Sequence, residues 1–472
     1  MMKHKVFVCG LVILGSVETF RGFSQLYGFM ESNHSLYAMT GSFYNPGPYM
    51  GFLAMIFPVC LYAYLSLKNE WVRYFSALVG LMILCLLPAG MSRSAWIAAG
   101  IGAAYVAGMH YRHAIKTYAV RHKNRMIVMA GLGLILLTVA IYGAYQLKKD
   151  SADGRILMWK VAARAVCENP WTGYGWDYVA GAYGDAQETY FAEGDYTETE
   201  ERVAGSPEYV FNEYLQVALA WGVPVLLLAL LMVGGSWCVG HRNGCYGLCG
   251  ALLSFGVFAF SSYPLQFPLF WLSLIMAVAG CAFSVLPSQI GGWKVFAVFV
   301  LLAVMVAGWQ MYGHYRHRKE AEEKWERCRI LYRSGAYEQA VESYAEHYMK
   351  MKHHAHFLFE YGHALHKLHR NEESNAILEE ALKVSSDPMI LNIIGKNHQE
   401  MGNYKEAEHW LMRSVHRLPG RIYPYYLLTK LYKEADCFSA EKLEWARKMV
   451  LEKEPKVHSR AIEEMREEMN KW

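Results

Sequence analysis

Nine apolar runs decide what this chain can become: 6–20, 49–67, 74–91, 95–109, 126–147, 210–238, 246–261, 267–286 and 294–312. Most approach the roughly 20 residues that cross the hydrocarbon core of a bilayer. In lipid a helix satisfies its own backbone hydrogen bonds, which an open strand or loop cannot do. The runs therefore predict an all-α fold, with a polytopic membrane domain of about nine spans over residues 1–312. The first run follows Lys3-His4-Lys5, as a signal peptide would. No small-residue cleavage site follows at Glu18-Thr19-Phe20-Arg21, so it reads as an uncleaved span.

Charge between the runs sets their direction. Residues 110–125 carry five Lys/Arg and no acid, which places that connection in the cytoplasm. The long polar interval 148–208 holds twelve Asp/Glu against six Lys/Arg and belongs on the outer side. Within it, residues 177–201 carry eight acids and no Lys or Arg, and read as a flexible lid or a solvated loop rather than a metal site. The large loop and everything after residue 312 are expected on the outer side. The net charge of +4 is too small to point to nucleic acid, and no nucleic-acid partner is expected. The ten cysteines follow neither a zinc spacing nor a disulfide framework, and Cys245 and Cys249 read as helix packing.

Residues 313–472 change character to charged, amphipathic helix. Gly335-Ala336-Tyr337, Arg370-Asn371 and Gly402-Asn403-Tyr404 recur, with Tyr337, Asn371 and Tyr404 spaced 34 and 33 residues apart. Asp387-Pro388, Leu418-Pro419 and Glu454-Pro455 close successive units. This pattern resembles the tetratricopeptide repeat, and implies an α-helical solenoid over 313–472 that binds protein partners. His353, His354, His356, His363, His366 and His369 cluster on one repeat and read as a polar helix face; no metal site is expected.

Four short motifs sit in a set order relative to the spans. They are Gly41-Ser42-Phe43-Tyr44-Asn45-Pro46, then Ser92-Arg93-Ser94-Ala95-Trp96, then Gly154-Arg155 with Trp159 and Asn169-Pro170-Trp171-Thr172-Gly173-Tyr174-Gly175, then Asn212-Glu213-Tyr214-Leu215-Gln216 with Trp221-Gly222. Over residues 38–285 this order resembles the O-antigen ligase/polymerase superfamily, which includes O-oligosaccharyltransferases. The resemblance implies transfer of a glycan from undecaprenyl diphosphate to an acceptor hydroxyl of lipid A core, a glycan or a protein. It implies no cofactor and no metal, with membrane lipids around the spans. Arg93 and Arg155 match two functional arginines of that family. Its third functional residue, a His before the last loop Asn, is Phe211 here.

The chemistry gives these residues roles and alternatives. A diphosphate leaving group gains negative charge as the glycosidic bond breaks, and a guanidinium stays charged and pairs phosphate oxygens in a fork. Arg93 and Arg155 are thus candidate catalytic and donor-binding residues. Their plain alternatives are a snorkelling Arg in a hairpin turn and an exposed Arg on an amphipathic helix. Asp153-Gly154 predicts a helix start, and Ile156, Leu157, Val161 and Val166 predict an apolar face lying on the membrane. Trp159 can stack on Arg155. Glu213 is the candidate base in place of the missing His, or else a helix anchor. Trp171, Tyr174 and Asn212 complete the candidate substrate-binding set. A non-enzymatic membrane anchor that presents the repeats to envelope proteins is the alternative function.

Overall fold

The computed structural model describes residues 3–147, 149–284, 323–435 and 438–472. Every regular element among them is helical. They divide into two compact units. Met1–Lys149, Phe211–Val217 and Pro224–Lys294 make the first; Asp150–Val210, Ala218–Val223 and Val295–Trp472 make the second.

The first unit holds α1 (Lys3–Leu26), α2 (Pro46–Ser66), α3 (Glu70–Ala89), α4 (Arg93–His110), α5 (Arg112–Arg121) and α6 (Lys123–Leu147). After the large loop it takes most of α10 (Glu213–Arg242), then α11 (Tyr246–Ala259) and α12 (Pro268–Ala282). Among the described residues, four helices are long and apolar enough to cross a membrane: His4–Leu26, Pro46–Ser66, Glu70–Ala89 and Glu213–Arg242. Tyr246–Ala259 and Pro268–Ala282 are shorter apolar helices. The expected count of about nine stands against these; the run 294–312 lies outside the described residues.

Helix α2 is the centre of this unit. Its face from Tyr49 to Ala63 is almost wholly buried, against α3, α4 and α11. Lipid supplies no hydrophobic drive between helices, so close packing does that work. Small residues allow it: Gly102 of α4 meets Gly250 of α11, and Ser254 Oγ donates to Ala98 O at 2.8 Å. Aromatic rings fill the wider end, where Phe270 lies stacked 5.9 Å from Phe258 and edge-on 5.8 Å from Phe52.

The Gly41–Pro46 motif is tied down by buried polar groups of α1. Gln25 Oε1 accepts the Thr40 and Gly41 N–H groups at 2.9 and 2.7 Å, and Glu18 Oε2 accepts that of Ser42 at 3.0 Å. Asn45 then caps α2 by accepting the Gly47 N–H at 2.9 Å.

The second unit joins the large loop to the repeats. The loop folds as α7 (Lys149–Glu168), α8 (Val179–Ala192) and α9 (Glu198–Val203). The expected flexible lid or solvated loop is a correction: residues 177–201 are mostly helical, and Val179, Tyr183, Ala186 and Tyr190 give α8 a buried stripe at helical spacing. The acids that concealed this stripe lie on its other faces. A second correction concerns α7. Its helix begins at Lys149, so Asp153-Gly154 is interior. Its buried residues Leu157, Val161, Ala162 and Ala165 pack inside the second unit, while Ile156 is exposed.

Residues 323–333 are helical and precede α13 (Tyr337–Met351), α14 (Ala355–Lys367), α15 (Asn371–Val384), α16 (Pro388–Glu400), α17 (Tyr404–Arg417), α18 (Ile422–Glu434), α19 (Ala440–Glu452) and α20 (Arg460–Asn470). They stack as helix pairs. Gly362 and Gly395 let Leu378 and Leu411 of the following helix seat against them. The turn inside each pair needs a left-handed residue, supplied by Gly335, His369 and Gly402 with φ of 81°, 57° and 76°. This is the same period read from the sequence, with His369 holding a conformation that glycine adopts without cost.

Candidate active site

Arg93 opens α4. The α3–α4 turn is short: Gly90 lies against the Met50 side chain, Met91 takes φ 47°, and Ser92 is the N-cap residue. Trp96 Nε1 donates to Leu87 O at 2.7 Å and fastens the hairpin. The half-buried Arg93 side chain thus leaves from a helix N-terminus, where backbone N–H groups and the macrodipole already favour an anion.

Arg155 and Trp159 lie one turn apart on α7, both half-buried, a spacing that permits stacking. Around them α7 is fixed by ion pairs. Lys160 Nζ reaches Tyr190 Oη at 2.6 Å and Glu200 Oε1 at 2.9 Å, and Arg164 pairs with Glu193 at 2.6 Å. Thr197 and Glu200 form a reciprocal capping box at the head of α9. Burial would push the Glu200 carboxyl up. Hydrogen bonds from the Thr197 N–H, Lys160, Tyr190 and the Thr197 hydroxyl outweigh it, and bring the group down to about 2.

The motif Asn169–Gly175 does something the sequence reading did not anticipate. It pairs, backbone to backbone, with a break in α10. Gly222 has φ 83° and ψ 165°, and Pro224 follows it inside the helix. Pro224 has no N–H, so the Ala220 carbonyl loses its helical donor, and the turn of Gly222 removes that of Leu219. The loop replaces both: the Gly175 N–H donates to Ala220 O at 2.9 Å and the Tyr174 N–H to Leu219 O at 2.7 Å. The freed Val223 N–H donates to Pro170 O at 2.7 Å. A broken membrane helix needs this compensation, since lipid offers none.

The strip's side chains hold its shape. Asn169 Nδ2 donates to Gly173 O at 2.6 Å, Thr172 Oγ1 to Asn169 Oδ1 at 2.9 Å, and Tyr174 Oη to Ala165 O at 3.2 Å. Trp176 stacks on Trp221 with centroids 4.9 Å apart and planes at 17°. A Cβ on Gly173 would stand 2.6 Å from the Ala220 backbone, and one on Gly222 would strike the Trp171 carbonyl. Both glycines also have positive φ, so the two motifs need glycine for space and for conformation. Tyr174 is thereby tied into the scaffold, whereas Trp171 projects with 76% exposure. The signal for this pairing was in the sequence, as Gly222-Val223-Pro224 inside an apolar run.

Asn212 and Glu213 start α10 in the first unit. Asn212 is the N-cap: its Oδ1 accepts the Tyr214 and Leu215 N–H groups at 3.0 and 3.2 Å. Phe211, in the place of the family's His, takes φ 49° and meets Tyr263 edge-on at 4.9 Å. Glu213 is only 3% exposed. Its Oε2 accepts the Leu265 N–H at 3.1 Å, while its Oε1 is buried with no hydrogen-bond partner. A carboxylate so placed both anchors the 264–266 turn and keeps one oxygen available to a proton.

The candidate residues therefore divide. Arg93, Asn212 and Glu213 belong to the first unit; Arg155, Trp159, Trp171 and Tyr174 belong to the second. Among the described residues no group of three His, Cys, Asp or Glu side chains is placed to hold a metal. The repeat histidines serve neighbouring helices: His363 meets Tyr332 Oη at 2.6 Å, His366 meets Asn397 Oδ1 at 2.7 Å, and His369 pairs with Glu400 at 3.1 Å.

Residues 77–230 match the family model described as O-antigen ligase. No curated protein matches the chain. The matched stretch runs from within α3 to within α10 and contains every candidate residue named above. The apolar helices make this an integral membrane protein, and its residues 77–230 are similar to the O-antigen ligase family.

Proposed function

We propose that the chain transfers a glycan from an undecaprenyl diphosphate carrier to an acceptor hydroxyl at the outer face of a bacterial inner membrane. The observation that carries this reading is the family match across the stretch that holds both Arg93 and Arg155. Arg93 binds diphosphate oxygens at the positive end of α4, and Arg155 takes the charge that grows on the leaving group. Their fixed charges are worth more in the transition state than in the ground state, which is what accelerates the step. Glu213, with one oxygen free of partners, removes the acceptor proton in place of the absent His. Trp171 offers an exposed aromatic face to the C–H face of a sugar. The acceptor class is lipid A core, a growing glycan or a protein hydroxyl, and the solenoid of residues 313–472 meets protein partners.

The test is made in the native cell. Arg93→Ala and Arg155→Ala, at normal abundance, are expected to accumulate polyprenyl-linked saccharide and lose one class of glycosylated product. Full product with either variant overturns the reading.

Phe211 in the place of the family's His favours one rival: a membrane anchor without catalysis that presents its repeats to envelope proteins. That rival predicts that residues 313–472 on an unrelated anchor restore the wild-type phenotype.

A further inference from the structure

The repeats already hold a segment of their own chain. Helix α8 lies across α15 and α17 within the second unit. Its approach is close enough to require glycine. A Cβ on Gly181 would collide with the Lys383 backbone, and one on Gly184 would stand 3.0 Å from Ser386 Cα. Glycine inside a helix is destabilising relative to alanine, so two in one short helix are explained by what they let in.

Charge fixes the register. Arg417, fully buried, donates from Nη2 to Asp185 at 2.5 Å and to Glu188 at 2.9 Å. Arg413 donates to both Glu188 oxygens, at 2.6 and 3.3 Å. Between these pairs, Gln187 Nε2 donates to Arg417 O at 2.5 Å and to Gly205 O at 3.1 Å, and Tyr183 Oη donates to Gln187. The end of the loop is caught as well. Ser386 Oγ donates to Pro207 O at 3.0 Å, Lys456 Nζ to Val203 O at 3.3 Å and Ala204 O at 3.1 Å, and Lys453 pairs with Glu201. Residues from three successive helix pairs therefore grip one 28-residue stretch, 181–208.

We infer that the repeat array acts in cis, as a clamp that positions the large loop for glycan transfer, with Arg413 and Arg417 as positioning residues. This rests on the transferase reading above. Neither arginine touches substrate in this account. Both act through α8, which is joined to α7, the helix of Arg155, by Lys160–Tyr190 and Arg164–Glu193. A positional error on the order of 1 Å at reacting groups can cost about a hundredfold in rate. Fixing the loop from outside the matched stretch is thus a contribution to catalysis, and the array is more than a docking platform for other proteins.

The experiment is a charge swap in the full chain, with two readouts. Arg413→Glu and Glu188→Arg are made singly and together, at matched abundance in the membrane. Glycan transfer is measured in cells, and loop accessibility by limited proteolysis of the purified full chain in detergent. Each single variant is expected to lower transfer by about tenfold to a hundredfold and to expose residues 177–208 to cleavage. The double variant restores the opposite-charge pair of 413 and 188 but sets the new arginine at 188 beside buried Arg417, and is expected to recover part of both. Gly181→Leu serves as a second disruption that leaves charge unchanged, and is expected to behave like the single variants. Loop protection and transfer unchanged in all single variants would overturn the clamp. A loosened loop with normal transfer would overturn its positioning role. Arg155→Ala separates the two claims: it should abolish transfer while leaving the proteolytic pattern of wild type. If it transfers normally, the transferase reading falls, and the proteolysis still judges the clamp.

Discussion

The large loop is held at two places by different physics. At the first, the strip 169–175 pairs with the broken segment of α10 through backbone groups, with glycines where a side chain would not fit. At the second, α8 is held by side chains, Arg413 and Arg417 on Asp185 and Glu188. Backbone pairing tolerates almost any side chain except where space or φ demands glycine. Ion pairing tolerates almost any backbone but needs a specific charge on each side. The first place lies wholly inside the stretch matched to the O-antigen ligase family, and the second reaches out of it to the repeats.

Three substitutions and one condition, with Lys383→Ala as an exposed-pair control, test that contrast from the largest effect down. Gly222→Val combines a left-handed φ with a collision against the Trp171 carbonyl, and is expected to cost more than about 4 kcal/mol, leaving little folded protein on size exclusion in detergent. Normal yield and melting would mean that the backbone pairing does not hold α10. Arg417→Met removes charged hydrogen bonds to Asp185 and Glu188, leaving Glu188 to Arg413, and should cost about 2–3 kcal/mol in thermal unfolding of the full chain. By contrast Lys383→Ala, which breaks the exposed pair with Glu380, should cost less than about 0.5 kcal/mol. Equal effects for Arg417 and Lys383 would deny the clamp its burial.

Trp176→Ala removes the stack on Trp221, and is expected to cost about 1 kcal/mol beyond the lost apolar area, read as a lower melting temperature with α10 fluorescence altered. The smallest effect is on pH. Glu200 falls from an unfolded value of 4.5 to about 2 in the folded chain. A depressed carboxyl stabilises above its unfolded value and loses that contribution as protons bind. The α9 capping box and its link to Lys160 should therefore be intact above pH 4.5 and weaken between 4.5 and about 2. Protection of the amides of 198–203 against hydrogen exchange, relative to the intrinsic rate at each pH, should fall as pH drops through that window in wild type and show no such step in Glu200→Gln. A step that survives the substitution would assign the effect elsewhere.

Much of this architecture could be read from residue order. Apolar runs and the 33- and 34-residue spacing reveal helices and stacked pairs because both signals are local and periodic. Arg93 at the head of α4 followed from its place before an apolar run. What escaped was long-range. Eight acids between 177 and 201 looked like solvated loop, because two of them, Asp185 and Glu188, take partners, Arg413 and Arg417, more than 220 residues away. The stripe Val179, Tyr183, Ala186, Tyr190 was present but masked by those charges. The break in α10 was written as Gly222-Val223-Pro224, yet its compensation comes from Tyr174 and Gly175, which no local pattern connects to it. Asn212, expected at the substrate, spends its carbonyl oxygen as a helix cap.

The measurement closest to the central claim is transfer by the purified full chain in lipid, given a polyprenyl diphosphate-linked saccharide and an acceptor. Free polyprenyl diphosphate and new glycosidic bonds are counted together. The account predicts equal release of carrier and formation of bonds in wild type, and loss of both in Arg155→Ala with its loop still protected from protease. Bond formation undiminished in folded Arg155→Ala, or no carrier released by folded wild type across the three acceptor classes, would contradict it.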